Sequence, residues 1–151
     1  MFIKPMSYED CVSLLESCRL GRLACSHEGQ PYVVPIYYAF SNNMLYSFTM
    51  PGRKVDWMRE NPKVCVQAEK HGGPSEWRSV VLYGRYRELP DTGQWHQQHM
   101  TAWSLLERYV NWWEPGGLKP DTQAIAGKSV HIFYAIEPTE ITGRMAVERA
   151  S

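Results

Sequence analysis

The run from Tyr32 to Phe40 constrains the fold more than any other part of this sequence, because nearly all of its residues are apolar or aromatic. Such a run is typical of a strand that is buried on both faces. Pro35 lies in its middle and has no backbone N–H to donate to a neighbouring strand. We therefore predict a sheet that is open, bulged or interrupted at Pro35, which exposes backbone groups to a ligand.

Similar strand patterns lie on both sides of this run. Residues 28–31 have the composition of a hairpin turn, and they connect the run to a strand at residues 22–27. Gly84 lies inside a long strand pattern and predicts a bulge or a close approach of another backbone. The remaining predicted strands are residues 44–48, 63–69, 77–89 and 129–138, the last of which continues to residue 144.

Three helices are predicted between these strands. The first begins at Ser7, a good N-cap, and ends before Gly21; the second covers about residues 54–60; the longest follows the cap at residues 90–92 and runs to about Trp113. Because successive strands are joined by hairpins or short connections, we predict a mainly β protein with helices, a six-stranded antiparallel barrel. The barrel forms a single domain over residues 1–151, with a partly frayed tail from about Met145.

The composition excludes several classes of function. Sixteen basic and sixteen acidic side chains cancel, so no overall field favours nucleic acid or an anionic membrane as a partner. No apolar run is long enough to cross a bilayer and the N-terminus lacks the pattern of a signal peptide, so we expect a cytoplasmic protein with four free cysteines. The six Trp and nine Tyr residues favour an oligomer interface or a pocket for a flat ligand.

The segment after the third strand predicts an anion site. A Pro-Gly turn ending at Gly52 is followed by two cations, Arg53 and Lys54, and by the start of a short helix. Backbone N–H groups at a helix start carry the positive end of the helix dipole and stabilise a phosphate placed there. Thr49 adds a neutral donor. The alternative is a solvated surface turn, which is common for a motif this short.

The histidines do not form an evident metal site. His96 and His99 are one helical turn apart, but no carboxylate or thiolate follows at a useful spacing, so a solvated helix face is the favoured interpretation. His71 lies in a glycine-rich loop from which it could reach a groove. No Ser-His-Asp or Cys-His arrangement is evident, and we assign no catalytic side chain.

Taken in order, the motifs closely resemble those of the pyridoxamine 5′-phosphate oxidase-like family of flavin-binding split barrels. The similarity is dense from Ser7 to Leu89 and looser beyond. The motifs that carry it are Gly21-Arg22-Leu23-Ala24, Pro31-Tyr32-Val33-Val34-Pro35-Ile36, Gly52-x-Lys54, Asn61-Pro62-x-Val64-Cys65, Trp77-x-Ser79-Val80 and Gly84-Arg85.

The resemblance implies a split barrel that forms a homodimer, with one FMN in each of two grooves at the dimer interface. It places Val34, Pro35, Ile36 and Tyr37 along the isoalloxazine ring, and Phe48, Thr49 and Met50 beside the ring. Arg53 and Lys54 are expected to hold the phosphate. Trp77, Arg78 and Ser79 are expected to close the site or to contribute from the neighbouring part of the groove.

The resemblance also implies an FMN-dependent oxidoreductase that acts on a small, flat substrate, with NADH, NADPH or oxygen as the redox partner. The alternative is a protein that holds flavin, haem or a deazaflavin without turnover. Phe48 stands where the branch linked to nitroimidazole reduction often has a histidine. Vitamin B6 oxidation is not predicted, because the basic C-terminal segment used for it is reduced here to Arg144 and Arg149.

Overall fold

The fold was analysed in a computed structural model, which describes residues 1–108 and 132–148. Its elements follow the chain in a β-rich order with three α-helices and one 3₁₀ turn. They are β1 (Phe2–Pro5), α1 (Tyr8–Ser17), β2 (Leu20–His27), β3 (Gln30–Ser41), β4 (Met44–Thr49), α2 (Arg53–Glu60), β5 (Lys63–Gly73), β6 (Glu76–Glu88), the 3₁₀ turn Gly93–Trp95, α3 (His96–Leu106) and β7 (Ile132–Val147).

The sheet closes on itself. Its strands follow the order β1-β7-β4-β3-β2-β5-β6, and β6 also pairs with β7, so β2 to β7 form a six-stranded antiparallel ring. This confirms the predicted barrel. The additional strand β1 pairs with the last residues of β7, from Arg144 to Val147. Sequence reasoning missed it because its four residues are all exposed and show no alternation of apolar and polar side chains.

Two tight turns set the register of the first three barrel strands. Glu28 and Gly29 have φ values of 51° and 81°, and Asn42 and Asn43 have values of 50° and 58°. Positive φ at both central residues is the geometry of a type I′ turn, whose twist matches that of the strands it joins. These turns pair His27 with Gln30 and Ser41 with Met44.

The barrel is split along β3. Residues Gln30 to Tyr37 pair with β2, whereas the pairing with β4 begins only at Tyr38. The Tyr38 N–H donates to the Arg19 carbonyl at 2.9 Å, and in an antiparallel pair this orientation alternates along the strand. The backbone groups of Pro31, Val33 and Pro35 therefore point away from β2, towards an edge with which no strand within residues 1–108 and 132–148 pairs. We call it the open edge.

The two prolines fit this edge because they have no N–H that would need a partner there. The prediction that the sheet is open at Pro35 is confirmed on the β4 side. On the β2 side the ladder continues without interruption, with Pro35 opposite Arg22.

Buried side chains form two clusters, one inside the barrel and one beneath α3. The interior cluster includes Leu23, Ile36, Val66 and Leu82. The second cluster lies on the outer side of β4 and β7, where Ala102 and Leu106 of α3 pack against the strands. α2 packs against β2, and Asn61, which follows it, donates to the Ser26 carbonyl at 3.1 Å.

Three expectations about element boundaries are refined. The pairing of β6 with β7 shifts register between Tyr83 and Gly84, so the predicted irregularity at Gly84 is confirmed. α3 ends at Leu106, before the predicted end at Trp113. Residues 109–131 lie outside the described part of the chain; they include His131 and the first three residues of the last predicted strand. β7 continues through Met145 to Val147.

None of the described helices is long and apolar enough to span a membrane.

Candidate functional site

The start of α2 has the geometry of an anion site. Its N-cap is Gly52, which provides no side chain to cap the first turn. The first backbone hydrogen bond of the helix runs from the Asp56 N–H to the Gly52 carbonyl at 3.1 Å. Among residues 1–108 and 132–148, no atom lies within 4 Å of a Cβ built on Gly52, so this part of the chain leaves space beside the helix start. Donors of the first turn can therefore face a ligand.

Lys54 lies on the buried face of α2 with Val55 and Met58, and only 7% of it is exposed. Burial lowers the pKa of its ammonium group to about 8, because desolvation penalises the charged form; the neighbouring thiol of Cys25 opposes this shift. Below pH 8 the group is a desolvated cation, which a phosphate would stabilise strongly.

Arg53 lies on the outer face of α2 and is exposed. Its guanidinium carbon is 5.9 Å from the ring centroid of Tyr32 and 5.8 Å from that of Trp57. Trp57 in turn stacks on His27, with ring centroids 5.5 Å apart, and His27 pairs with Glu60. The two predicted phosphate ligands therefore differ: Lys54 points into the protein and Arg53 lies over aromatic rings at the surface.

The predicted ring-binding strand lies along the open edge of β3. Val34 and Tyr37 are partly buried, Pro35 is exposed, and the Ile36 side chain is fully buried in the barrel interior. The Tyr37 carbonyl accepts a hydrogen bond of 2.6 Å from the Ser47 hydroxyl, and the Arg19 guanidinium lies 4.9 Å from the Tyr37 ring centroid. The edge can thus offer backbone groups and the side chains of residues 34, 35 and 37 to a flat ligand.

The end of β4 is buried. Phe48 packs against Phe133 beneath α3, with ring centroids 5.4 Å apart, and 1% of it is exposed. Thr49 is also 1% exposed, and its hydroxyl donates to the Met50 carbonyl at 3.1 Å. Of these three predicted residues, only Met50 is partly exposed.

Trp77, Arg78 and Ser79 lie elsewhere in the same chain. They belong to the start of β6, which is separated from β3 by β2 and β5. Counted along the sheet, this segment is three strand spacings from β3 in the direction of β2 and β5. The Ser79 hydroxyl accepts a hydrogen bond of 3.0 Å from the Gln67 amide. A separate cavity of about 430 Å³ lies at this corner, lined by Trp77, Arg78, Lys70 and His71.

The structure therefore places residues 34–37 and 48–50 on the paired strands β3 and β4, with α2 following β4, and it places the residues of β6 apart. Within these sets the side chains of Ile36, Phe48 and Thr49 are buried. The structure also adds residues that sequence reasoning missed. Tyr32 and Trp57 flank Arg53, and Cys25 lies beside Lys54. The spacing of Arg53 and Trp57, one helical turn apart, could have indicated that they share a face; the position of Cys25 depends on how α2 packs on β2.

The histidines of α3 are not equivalent. His96 is exposed and pairs with Asp91 at 2.6 Å. His99 is 5% exposed, and its Nδ1 donates to the Leu89 carbonyl at 2.7 Å. The prediction of a solvated face was therefore wrong for His99, because α3 turns that face towards the second cluster.

Over residues 1–108 and 132–148, no His, Cys, Asp or Glu side chains cluster as metal ligands do, and the four cysteines are free thiols.

Comparison with protein families identifies the group to which this chain belongs. The model of the pyridoxamine 5′-phosphate oxidase family matches residues 7–145. The chain belongs to this family. It is also 53% identical over 146 residues to an uncharacterized protein of Rhizobium meliloti (strain 1021), with 97% of each chain covered.

Solved structures agree with this assignment. An FAD-binding protein from Mesorhizobium loti is 43% identical and superposes with a TM-score of 0.81, covering 97% of this chain and 100% of the other. An FAD and haem binding protein from Mycobacterium smegmatis superposes with a TM-score of 0.73 at 16% identity, covering 98% of this chain and 76% of the other. The second similarity concerns the fold alone.

Proposed function

We propose that this protein is a flavin-dependent oxidoreductase that binds the FMN part of its cofactor between the open edge of β3 and the start of α2. The observation that carries this proposal is the position of Lys54. It is a desolvated cation on the buried face of an uncapped helix start, beside the open space at Gly52. A phosphate there meets a cation, backbone donors and the positive end of a helix dipole.

The ring end of the cofactor fits the open edge of β3. The edge presents the Val33 N–H between two prolines, together with the carbonyls of residues 31, 33 and 35. Flavin carries donors and acceptors on one side of an otherwise apolar ring system, so alternating backbone groups and the flanking Val34, Pro35 and Tyr37 side chains suit it. Family membership and the FAD-binding relative from Mesorhizobium loti support a flavin as the ligand.

We further propose that the active form is a homodimer in which Trp77, Arg78 and Ser79 act at the groove of the partner chain. Within their own chain they lie on β6, which is two strands away from β2, the strand against which α2 packs. The outer face of β2, β3 and β6 carries exposed apolar side chains, with Leu20 43%, Val33 63% and Tyr83 46% exposed. A groove of about 460 Å³ runs along it, lined by Ala24, Cys65, Tyr83 and Thr139 among others. A face of this kind is typical of a protein interface.

When bound, the flavin supplies the redox chemistry, and the protein positions it, excludes water and leaves access for a small substrate and for NADH, NADPH or oxygen. The second candidate is a protein that holds flavin, haem or a deazaflavin without turnover. It is favoured by the apolar character of Val34 and Pro35 at the proposed ring site, since neither side chain can move a proton.

The absorption spectrum of the purified protein tests both candidates. Flavin bands that bleach on addition of NADH or NADPH support the oxidoreductase. Flavin bands that neither donor bleaches, under anaerobic conditions and with dithionite as a positive control for reduction, favour the binding protein; a Soret band indicates haem. Light scattering measures the mass of the holoprotein, and a monomer would contradict the dimer.

A further inference from the structure

The cavity of about 430 Å³ at the start of β6 lies away from α2 and from the open edge of β3. The end of β5, the start of β6 and the end of β7 enclose it, and we call it the corner cavity. The pairing of β5 with β6 shifts register between His71 and Gly73, and a bulge of this kind bends a strand and redirects its side chains. The volume is that of a pocket for a small organic molecule.

Two cations lie side by side in the corner cavity. Lys70 on β5 is directly opposite Arg78 on β6, so their side chains leave the same face of the sheet with Cβ atoms about 5 Å apart. Like charges in this arrangement repel each other and destabilise a sheet. Both residues are exposed, and neither forms an ion pair within residues 1–108 and 132–148. An anion bound between them would relieve the repulsion.

The neighbouring carboxylates do not neutralise this pair of cations. Glu69 points to the opposite face of β5, where it pairs with Arg22 at 3.3 Å and with His71 at 3.2 Å. Glu76 lines the cavity, and its Oε2 lies 3.1 Å from the position that a Cβ on Gly72 would take. Two cations thus face one carboxylate, which leaves the cavity with a net positive charge.

The β7 side of the corner cavity is apolar. Met145 is directly opposite Arg78 on the other side of β6, and Val147 follows two residues later on the same face. Both side chains are partly buried, and both residues line the cavity. The cavity therefore suits a ligand that combines an anionic group with an apolar part.

We propose that the corner cavity binds the anionic group of the small molecule on which the protein acts, so that this substrate is an organic carboxylate or phosphate monoester. Arg78 can hold two oxygens of such a group in its planar fork, and Lys70 adds a point charge. The inference rests on the proposed function, in which Arg78 acts at the groove of the partner chain. It narrows the substrate from any small, flat molecule to one that carries an anionic group.

Calorimetric titration of the flavin-loaded protein with phenyl phosphate, benzoate and benzyl alcohol tests the proposal. The three probes share a phenyl ring and differ in their polar group. At least one of the two anions is expected to bind about tenfold or more tighter than the neutral alcohol. Its affinity should fall as the salt concentration rises. The tighter of the two anions identifies the preferred group.

Two variants test whether the anion binds at these residues. Arg78→Gln and Lys70→Gln each remove one charge and should each weaken the tighter anion by about tenfold or more. Arg87→Gln is the matched control: Arg87 lies on the same strand, pairs with Glu137 at 2.8 Å and does not line the cavity. This variant should bind the anion as the wild type does. If Arg78→Gln loses its flavin, Lys70→Gln decides.

The flavin absorption bands report whether the anion binds beside the cofactor. Saturation with the tighter anion should shift these bands, because a ligand at the groove changes the surroundings of the ring. An anion that binds without shifting them would overturn the assignment as substrate.

The remaining outcomes separate the cavity from the cofactor. Anions that bind no tighter than benzyl alcohol would overturn the proposed cavity and leave the proposed function intact. An affinity that neither Arg78→Gln nor Lys70→Gln changes would do the same. A protein that cannot be loaded with flavin would contradict the proposed function itself, and the assignment as substrate would fail with it.

Discussion

Gly84 lies directly against the backbone of Glu137 where β6 pairs with β7. A Cβ built on Gly84 would be 2.5 Å from the Glu137 carbonyl oxygen and 2.8 Å from Cγ2 of Ile136. The register shift of the β6–β7 pair occurs at this position. The strand bends here because glycine permits an approach that no other residue allows.

Gly84→Ala is therefore expected to destabilise the protein. The clash involves backbone, which cannot move aside as a flexible side chain can, and the cost should be about 1–3 kcal/mol in the free energy of unfolding. Urea denaturation measures it. Gly73→Ala is the control. Gly73 lies in the neighbouring strand, and within residues 1–108 and 132–148 no atom lies within 4 Å of a Cβ built there. Its stability should change by less than about 0.5 kcal/mol. A Gly84→Ala protein as stable as this control would contradict the close approach.

Lys54→Met tests the proposed phosphate site. Methionine keeps the length and apolar character of the side chain but removes the charge, so FMN and FAD should both bind more weakly by about 1–3 kcal/mol. Fluorescence titration with either flavin measures the loss. Lys4→Met removes an exposed charge on β1, outside both the proposed cofactor site and the groove on the outer face of the sheet, and should leave the affinity unchanged. Wild-type affinity in Lys54→Met would show that the phosphate binds elsewhere.

The pKa of Lys54 also predicts how stability depends on pH. The pKa is about 8 in the folded flavin-free protein, against an ordinary lysine value of 10.5. Below pH 8 the group is charged in both the folded and the unfolded state, and its burial costs on the order of 3 kcal/mol. This destabilisation disappears as the pH rises from about 8 to 10.5, because Lys54 loses its proton at a lower pH in the folded state than in the unfolded state.

The flavin-free Lys54→Met variant is thus expected to be more stable than wild type at pH 7, with the difference shrinking towards zero near pH 10.5. Urea denaturation of both proteins at several pH values measures this difference, in which titrations common to both proteins cancel. A difference that does not change with pH would contradict the lowered pKa.

A pair of proline substitutions tests the open edge of β3. The Val33 N–H points away from β2 towards the open edge, whereas the Val34 N–H lies on the side that bonds to β2. Val34→Pro should cost about 3 kcal/mol or more in the free energy of unfolding, and Val33→Pro about 1 kcal/mol or less. Thermal and urea unfolding of the two flavin-free variants compare them directly. Equal losses would mean that the orientation of β3 is reversed or that its edge is paired.

Much of the fold follows from local sequence signals. The turn at Glu28 and Gly29, the helix start after Gly52 and the irregularity at Gly84 were each predicted from residue types that favour one backbone conformation. The short strand β1 was not, because an exposed edge strand needs no alternating pattern. The buried position of His99 was also missed, since helical spacing does not say what a helix packs against.

The candidate site likewise combines features that local sequence determines with features that depend on tertiary packing. The sequence by itself determined that the sheet is open at Pro35 on the β4 side and that a helix starts after Gly52, and it predicts an anion site there, since prolines, glycines and adjacent cations act through the local backbone. Only the tertiary structure decided that Lys54 is buried beside Cys25 while Arg53 lies on Tyr32 and Trp57. Two neighbouring residues of a helix point about 100° apart, and which of them enters the barrel depends on how α2 packs against β2, a contact between segments far apart in the chain.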